Sequence, residues 1–212
     1  MNHLKKLGIA CLLAVAAMAV GGAGSAAAAQ STFCKVNETP CKSGNHYPSG
    51  TEFVLKSTGP IKWVSSFEGE PTLQVTCESA EFKGKTSTTG GSAQTVEVAF
   101  TTQFLSNCGQ CGITTLQTAK MKFNWVSGTM DASVTTTGLE YRFNCKTILG
   151  EVSCTYGGEI KEKTTLTGGN PAVLKFEAAP VTASGGLPCG NQAELTGEFD
   201  VTTPKPLYVS NT

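Results

Sequence analysis

Apolar and polar residues alternate along most of this chain with a period of two. Phe53 and Leu55 alternate with charged neighbours, and Leu73, Val75 and Cys77 oppose Gln74, Thr76 and Glu78. Val96, Val98 and Phe100 share a face opposite Thr95 and Glu97. Met121, Phe123 and Trp125 alternate with Lys120, Lys122 and Asn124, and Leu139, Tyr141, Phe143 and Cys145 with Glu140, Arg142 and Asn144. A helix would need apolar residues at three- and four-residue steps, so the pattern predicts half-buried strands; the β-branched, threonine-rich runs disfavour helix further. Gly59-Pro60, the stretch 67–71 and Ser184-Gly-Gly-Leu-Pro188 supply breaks between them. A last strong strand places Leu195, Gly197, Phe199 and Val201 inward. The following Thr203-Pro-Lys-Pro206 is too proline-rich for a central strand, and Leu207-Tyr208-Val209 reads as a short apolar plug or edge strand. Roughly eleven to thirteen short strands predict an all-β, antiparallel sandwich or barrel-like fold.

One region breaks the alternation. Lys5 and Lys6 precede the apolar run from Leu7 to Val20, and small residues end in Ala27-Ala28-Ala29, so residues 1–29 read as a signal peptide cleaved before Gln30. The run is shorter than the ~20 apolar residues that span a bilayer. A lipoprotein reading through Cys11 would leave almost no apolar region ahead of the cysteine and is disfavoured. The expected product is secreted or extracellular, and no later segment is apolar enough to cross a membrane.

Residues 30–212 then form a single all-β domain, with two related halves as the alternative organisation. The order Val75-Thr76-Cys77, Gly90-Gly91, Val98, Phe100, Cys108-Gly109 returns about 77 residues later as Val152-Ser153-Cys154, Gly168-Gly169, Leu174, Phe176, Cys189-Gly190. These units, 75–109 and 152–190, read as an internal repeat of strand cysteine, glycine turn, apolar strand and loop cysteine. Trp-Val-Ser also occurs at 63–65 and 125–127, and residues 130–145 read as a hairpin inserted in the second copy.

Eight cysteines outside the signal region, Cys34, Cys41, Cys77, Cys108, Cys111, Cys145, Cys154 and Cys189, predict four disulfides in an exported chain. If each repeat cysteine pairs within its own unit, Cys154 joins Cys189 and Cys77 joins Cys108 or Cys111. Cys145 takes the remaining member and Cys34 joins Cys41. The rival map joins Cys108 to Cys111 and Cys77 to Cys145.

The stretch Val75-Thr-Cys-Glu-Ser-Ala-Glu-Phe-Lys-Gly-Lys85 and the tail Gly197-Glu-Phe-Asp-Val-Thr-Thr-Pro-Lys-Pro-Leu-Tyr-Val209 resemble a group of secreted, cysteine-containing proteins of soil actinobacteria. The resemblance implies export and an all-β fold; it carries no activity and no functional residue.

Composition limits the chemistry. Charged residues are 15% of the chain, and without Lys5 and Lys6 14 basic residues face 16 acidic ones, with the basic residues scattered. No phosphate-tracking surface results, so nucleic acid is not an expected partner. His46 is the one histidine beyond the signal region, and no G-x-S-x-G turn accompanies it. Glutamates are numerous, but Glu97, Glu140, Glu177 and Glu198 fall on the polar faces of alternating strands. Cys108-Gly-Gln-Cys111 has C-x-x-C spacing without the second ligand pair of a zinc site, and Asp131 and Asp200 are too isolated for a calcium loop. Neither cofactor nor metal is expected. Trp63, Trp125, Tyr47, Tyr141, Tyr156 and Tyr208 are the rings that could stack on a sugar; Trp125 and Tyr141 follow the inward register. Trp63, beside Gly59-Pro60 and ahead of Ser65-Ser66, is the ring expected to be exposed and ligand-stacking. Asn37-Glu-Thr39 fits a glycosylation sequon.

The sequence thus points to a non-catalytic secreted or cell-surface β domain with a structural or binding role, toward a cell-envelope or polysaccharide component. The alternatives are a carbohydrate-binding module and a secreted hydrolase using Glu carboxylates.

Overall fold

The computed structural model describes residues 30–91, 94–148 and 150–212. The expected signal peptide and Cys11 lie outside the described residues. Fourteen strands follow one another: β1 (Thr32–Cys34), β2 (Glu52–Ser57), β3 (Ile61–Phe67), β4 (Glu70–Cys77), β5 (Ser79–Thr86), β6 (Val96–Ser106), β7 (Cys111–Gln117), β8 (Lys120–Trp125), β9 (Ala132–Thr147), β10 (Gly150–Ile160), β11 (Thr164–Thr167), β12 (Ala172–Ser184), β13 (Gln192–Thr203) and β14 (Tyr208–Ser210). Every pairing is antiparallel, and single 3-10 turns at Ser43–Asn45 and Leu187–Cys189 are the helical pieces among the described residues. Among those residues no helix is long and apolar enough to cross a membrane.

The pairings divide the fold into two lobes that share three long strands. In lobe one, β2, β5, β6, β8, β9, β11, β12 and β13 pair in turn, and β13 returns to β2, so the ladder closes into a ring. Lobe two is an open sheet in the order β4-β3-β13-β12-β10-β9-β7. β9, β12 and β13 serve lobe one with one half and lobe two with the other. β9 changes partners around Gly138, whose φ is 72°. The β12–β13 register shifts between Phe176 and Ala179, where Ala178 takes a φ of 52°. Bulges of this kind bend a strand and increase its twist, which lets it leave one curved sheet for another. β3 and β4 are joined tightly through Glu68 and Gly69, with φ of 51° and 87°, the positive pair of a type I′ hairpin turn.

Alternation sends the apolar rows inward in both lobes, with different chemistry. Lobe one is filled by Phe53, Phe82, Phe100, Phe123, Phe176 and Phe199, all buried. Phe33 of β1 enters the same cluster, with ring centroids 5.0 Å from Phe123 and 5.6 Å from Phe53. β1 pairs with β14, and the buried Leu207 and Val209 close the ring beside it, so the tail is both plug and short strand. Lobe two packs Trp63, Tyr141, Phe143 and Tyr156 together, and the Tyr156 and Ser65 hydroxyls share a 2.6 Å hydrogen bond in the interior.

Two sequence expectations are corrected here. Trp63 is not an exposed stacking ring but 2% accessible, packed against Phe143 at 5.1 Å and Tyr141 at 6.1 Å. It lies in register between Ile61 and Ser65, both inward, and that period outweighs the Gly59-Pro60 break upstream. Residues 130–145 are not a hairpin: β9 runs through 16 residues without turning, and Gly138 is its bulge rather than a turn.

Candidate functional site

The cysteines form Cys34–Cys41, Cys77–Cys108, Cys111–Cys145 and Cys154–Cys189, so both repeat cysteines are bonded within their own unit and the C-x-x-C pair is split between two bonds. Three of the four lie in lobe two. Cys111–Cys145 ties edge strand β7 to β9, Cys77–Cys108 ties edge strand β4 to the loop before β7, and Cys154–Cys189 ties β10 to the loop between β12 and β13. Cys34, Glu38 and Cys41 lie close enough to share a metal ion. The two sulfurs are bonded to each other, however, and a metal needs thiolates.

The outer face of β13 presents a row of polar side chains that opens onto two clefts. Gln192, Glu194, Thr196 and Glu198 point outward there, opposite inward Ala193, Leu195, Gly197 and Phe199. Their neighbours are set by register: Ser66 and Lys62 from β3 on one side, Thr182, Pro180 and Lys175 from β12 on the other. Two clefts lie end to end on this face. One of about 420 Å³ is lined by Ser66, Glu159, Pro180, Thr182, Gln192 and Glu194. The other, of about 720 Å³, is lined by residues 58–60, Lys62, Lys175, Glu177, Ala178, Thr196 and Glu198. Both volumes fall in the usual range for ligand sites. From Gln192 to Glu198 the groove runs six strand steps, about 20 Å at ~3.3 Å each.

The larger cleft owes its depth to the lobe junction. β2 and β3 both pair with the same edge of β13, β2 at Phe199 and beyond and β3 up to Thr196, so the chain leaves the sheet through residues 58–60 between them. Thr58 remains attached, its N–H donating to the Glu198 carbonyl at 3.0 Å. On the opposite wall the Ala178 bulge removes two residues from the ladder. Lys175 and Glu198 pair at 3.1 Å across the floor, both roughly half exposed, a contact worth little in stability but able to fix the two head groups.

The other residues considered for chemistry are accounted for separately. His46 Nε2 bonds the Cys41 carbonyl at 2.9 Å inside the first disulfide loop, far in sequence from the groove. Glu140 accepts from Gln117 Nε2 at 2.8 Å, Glu97 faces Lys122 at 3.9 Å, and Glu177 is exposed on the cleft wall. Glu38 is held below the usual carboxylate range by hydrogen bonds from the Asn45 side chain and the Lys42 N–H. Hydrogen bonds from Lys83 and Lys56 do the same to Glu81. A general acid requires the opposite shift.

Among the rings, Tyr141 and Tyr156 are buried with their phenol pKa raised by that burial, and the Ser65 hydrogen bond partly offsets the rise for Tyr156. Tyr47 donates to the Pro206 carbonyl at 2.7 Å, and half-buried Trp125 donates from Nε1 to the Thr129 carbonyl at 2.8 Å. Asp131 Oδ1 accepts from the Gly168 N–H at 3.0 Å, a turn contact. Asn37 of the sequon is exposed. The groove itself was missed in the sequence because its walls come from Lys62, Lys175 and Glu198, brought together by register alone. Compared with family models, with curated proteins and with solved structures, the chain matches none.

Proposed function

We propose that this is an exported, non-catalytic β domain that binds an extended ligand along the outer face of β13, in the cell envelope or extracellular space. The observation that carries the reading is the pair of contiguous clefts on one strand, long enough for several units of a polymer. Around them Glu159, Glu177, Glu194 and Glu198 outnumber Lys62 and Lys175. That balance favours a neutral or cationic chain over a nucleic acid or another polyanion. Export is supported by four disulfides, which persist in oxidising compartments.

A polysaccharide is the ligand class that best fits a groove rich in carboxylate, hydroxyl and amide groups. Recognition would rest on hydrogen bonds with Gln192 and Thr196 and on hydroxyls donating to the Glu194 carboxylate, rather than on Trp63. The experiment is retention on a panel of insoluble polysaccharides and cell-wall fractions, comparing the intact protein with Thr196→Lys and Glu194→Lys. Retention lost in both variants, with unchanged circular dichroism, is expected. Retention indifferent to both, or none across the panel, removes the reading. A hydrolytic role has one observation in its favour, that Glu159 and Glu194 line the same cleft. Product release that Glu194→Gln abolishes while binding persists would favour it.

A further inference from the structure

The outer face of lobe two carries a third cleft beside the two on β13. It encloses about 370 Å³ and is lined by Gln117, Glu140, Thr155, Gly157, Thr182 and Ser184. Thr182 also lines the cleft of about 420 Å³, so the two meet at that side chain. Register places the third cleft to the side of the groove rather than along it. Gln192 lies opposite Thr182, Thr182 opposite Gly157, Gly157 opposite Glu140 and Glu140 opposite Gln117. That row crosses β13, β12, β10, β9 and β7, a span of about 19 Å at ~4.8 Å per strand spacing. It starts from the Gln192 end of the groove, so the two arms are of nearly equal length and meet at a corner.

Two glycines keep the corner open. Gly157 carries no side chain because the Leu139 carbonyl oxygen occupies the place its Cβ would take. The row therefore dips at its centre, between Glu140 on one side and Thr182 on the other. Gly158 has a φ of 103°, a backbone that residues with side chains rarely adopt, and a Cβ there would lie 3.1 Å from Thr182 Oγ1. On the far wall Glu140 is fixed, its Oε2 accepting from Gln117 Nε2 at 2.8 Å. Thr155 and Ser184, opposite each other in the β10–β12 ladder, add two hydroxyls. The second arm thus offers hydroxyl, amide and carboxylate groups, the same kinds that line the first.

We propose that the three clefts form one bent site, and that the polysaccharide it takes is one whose linkages turn the chain. The inference rests on the reading of the β13 groove as a polysaccharide site. Cellulose-type glucans are straight, flat ribbons and fit along one arm only. Laminarin-type and amylose-type linkages rotate each ring against the last, so a short chain passes Thr182 and occupies both arms. On the second arm a sugar ring lies over Gly157, where no side chain rises to meet it. Its hydroxyls donate to the Glu140 carboxylate and exchange hydrogen bonds with Thr155 and Ser184.

The probes are cellohexaose, laminarihexaose and maltohexaose with the matching trisaccharides, titrated calorimetrically into the intact disulfide-bonded protein. At least one curved hexaose is expected to bind one to one, about tenfold tighter than cellohexaose and than its own trisaccharide. Ser184 is exposed and lines the third cleft but neither of the others. Ser184→Arg is therefore expected to bring that hexaose down to the affinity of the trisaccharide, with trisaccharide binding and circular dichroism unchanged. Glu194→Lys is expected to abolish binding of both. Cellohexaose bound as tightly as either curved hexaose, two hexaoses per protein, or a hexaose affinity indifferent to Ser184→Arg each overturns the bent site. The groove reading survives those three results, because it stands or falls on Glu194→Lys and the polysaccharide panel. No binding of any probe at millimolar concentration also overturns the bent site, and an empty panel alongside it removes the groove as well.

Discussion

Lobe one closes its hydrogen-bond ladder and contains no disulfide within its ring, whereas lobe two leaves two sheet edges open and holds three. The interiors differ in the same sense. Lobe one packs phenylalanines edge to face, at 5.9 Å for Phe82–Phe100 and 5.0 Å for Phe33–Phe123. Lobe two mixes rings with hydroxyls and an amide: Tyr156 with Ser65, Tyr141 with Gln103. The contrast teaches what the cysteines are for. A closed ring has no frayed strand, so its core suffices; an open sheet can lose an edge strand at little cost unless it is tied. β4, β7 and β10 are each held by a disulfide to a neighbouring strand or loop. The candidate groove follows the same division, lying where the lobes meet.

The comparison can be broken most sharply by emptying each core. Phe123→Ala in lobe one and Trp63→Ala in lobe two each remove a fully packed ring and are expected to cost about 3–5 kcal/mol, read by urea unfolding. With disulfides intact the two variants unfold in one transition, since β9, β12 and β13 carry both lobes. After mild reduction Trp63→Ala is expected to lose lobe two first. A Trp63→Ala protein of unchanged stability would mean that the ring is solvent-facing after all.

Next in size is the staple itself. Replacing Cys154 and Cys189 by alanine opens a loop of sequence separation 35, for which chain entropy gives about 4 kcal/mol. Removing Cys34–Cys41, with separation 7, is expected to cost less and to leave lobe two unaffected. Equal losses from the two would contradict the division of labour.

A smaller effect separates the lobes by pH. Burial raises the folded pKa of Tyr141 and Tyr156 above the ordinary phenol value. Their contribution is therefore fully present below about pH 10 and is lost as pH rises toward the raised folded values, at up to ~1.4 kcal/mol per pH unit for each group. Lobe one has no buried tyrosine, so alkaline unfolding is expected to begin in lobe two, and Tyr141→Phe flattens the alkaline limb. The smallest effect is at the N-terminal loop. The Glu38 carboxyl is held low by Asn45 and Lys42, so its contribution is present above the ordinary carboxylate pKa and fades as pH falls through the depressed folded value. Glu38→Gln removes that acid dependence, visible as earlier amide exchange around Asn45 at neutral pH.

Much of this architecture is legible in the sequence, because two-residue alternation leaves little choice of element. Phe53 and Leu55, Met121 and Phe123, and Leu195 to Val201 all bury the face expected. Matching Cys77 with Cys154 points to Cys154–Cys189 but leaves Cys108 and Cys111 as alternative partners of Cys77, a choice that only the structure makes, with Cys108. What alternation does not encode is how strands share partners. Gly138 looks like a turn residue and is a bulge inside β9, so one continuous strand was read as a hairpin. Gly59-Pro60 breaks the chain but does not expose Trp63, whose register with Ile61 and Ser65 decides. The groove depends on which strands occupy the edges of β13, a property of pairing between segments far apart in sequence.

The most direct test is amide hydrogen exchange before and after reduction of the disulfides under native conditions. Staples that replace ladder closure predict that β4, β7 and the lobe-two halves of β9 and β10 lose protection on reduction. β2, β5, β6 and β8 should keep theirs. Uniform loss across both lobes, or no change in lobe two, would contradict the account.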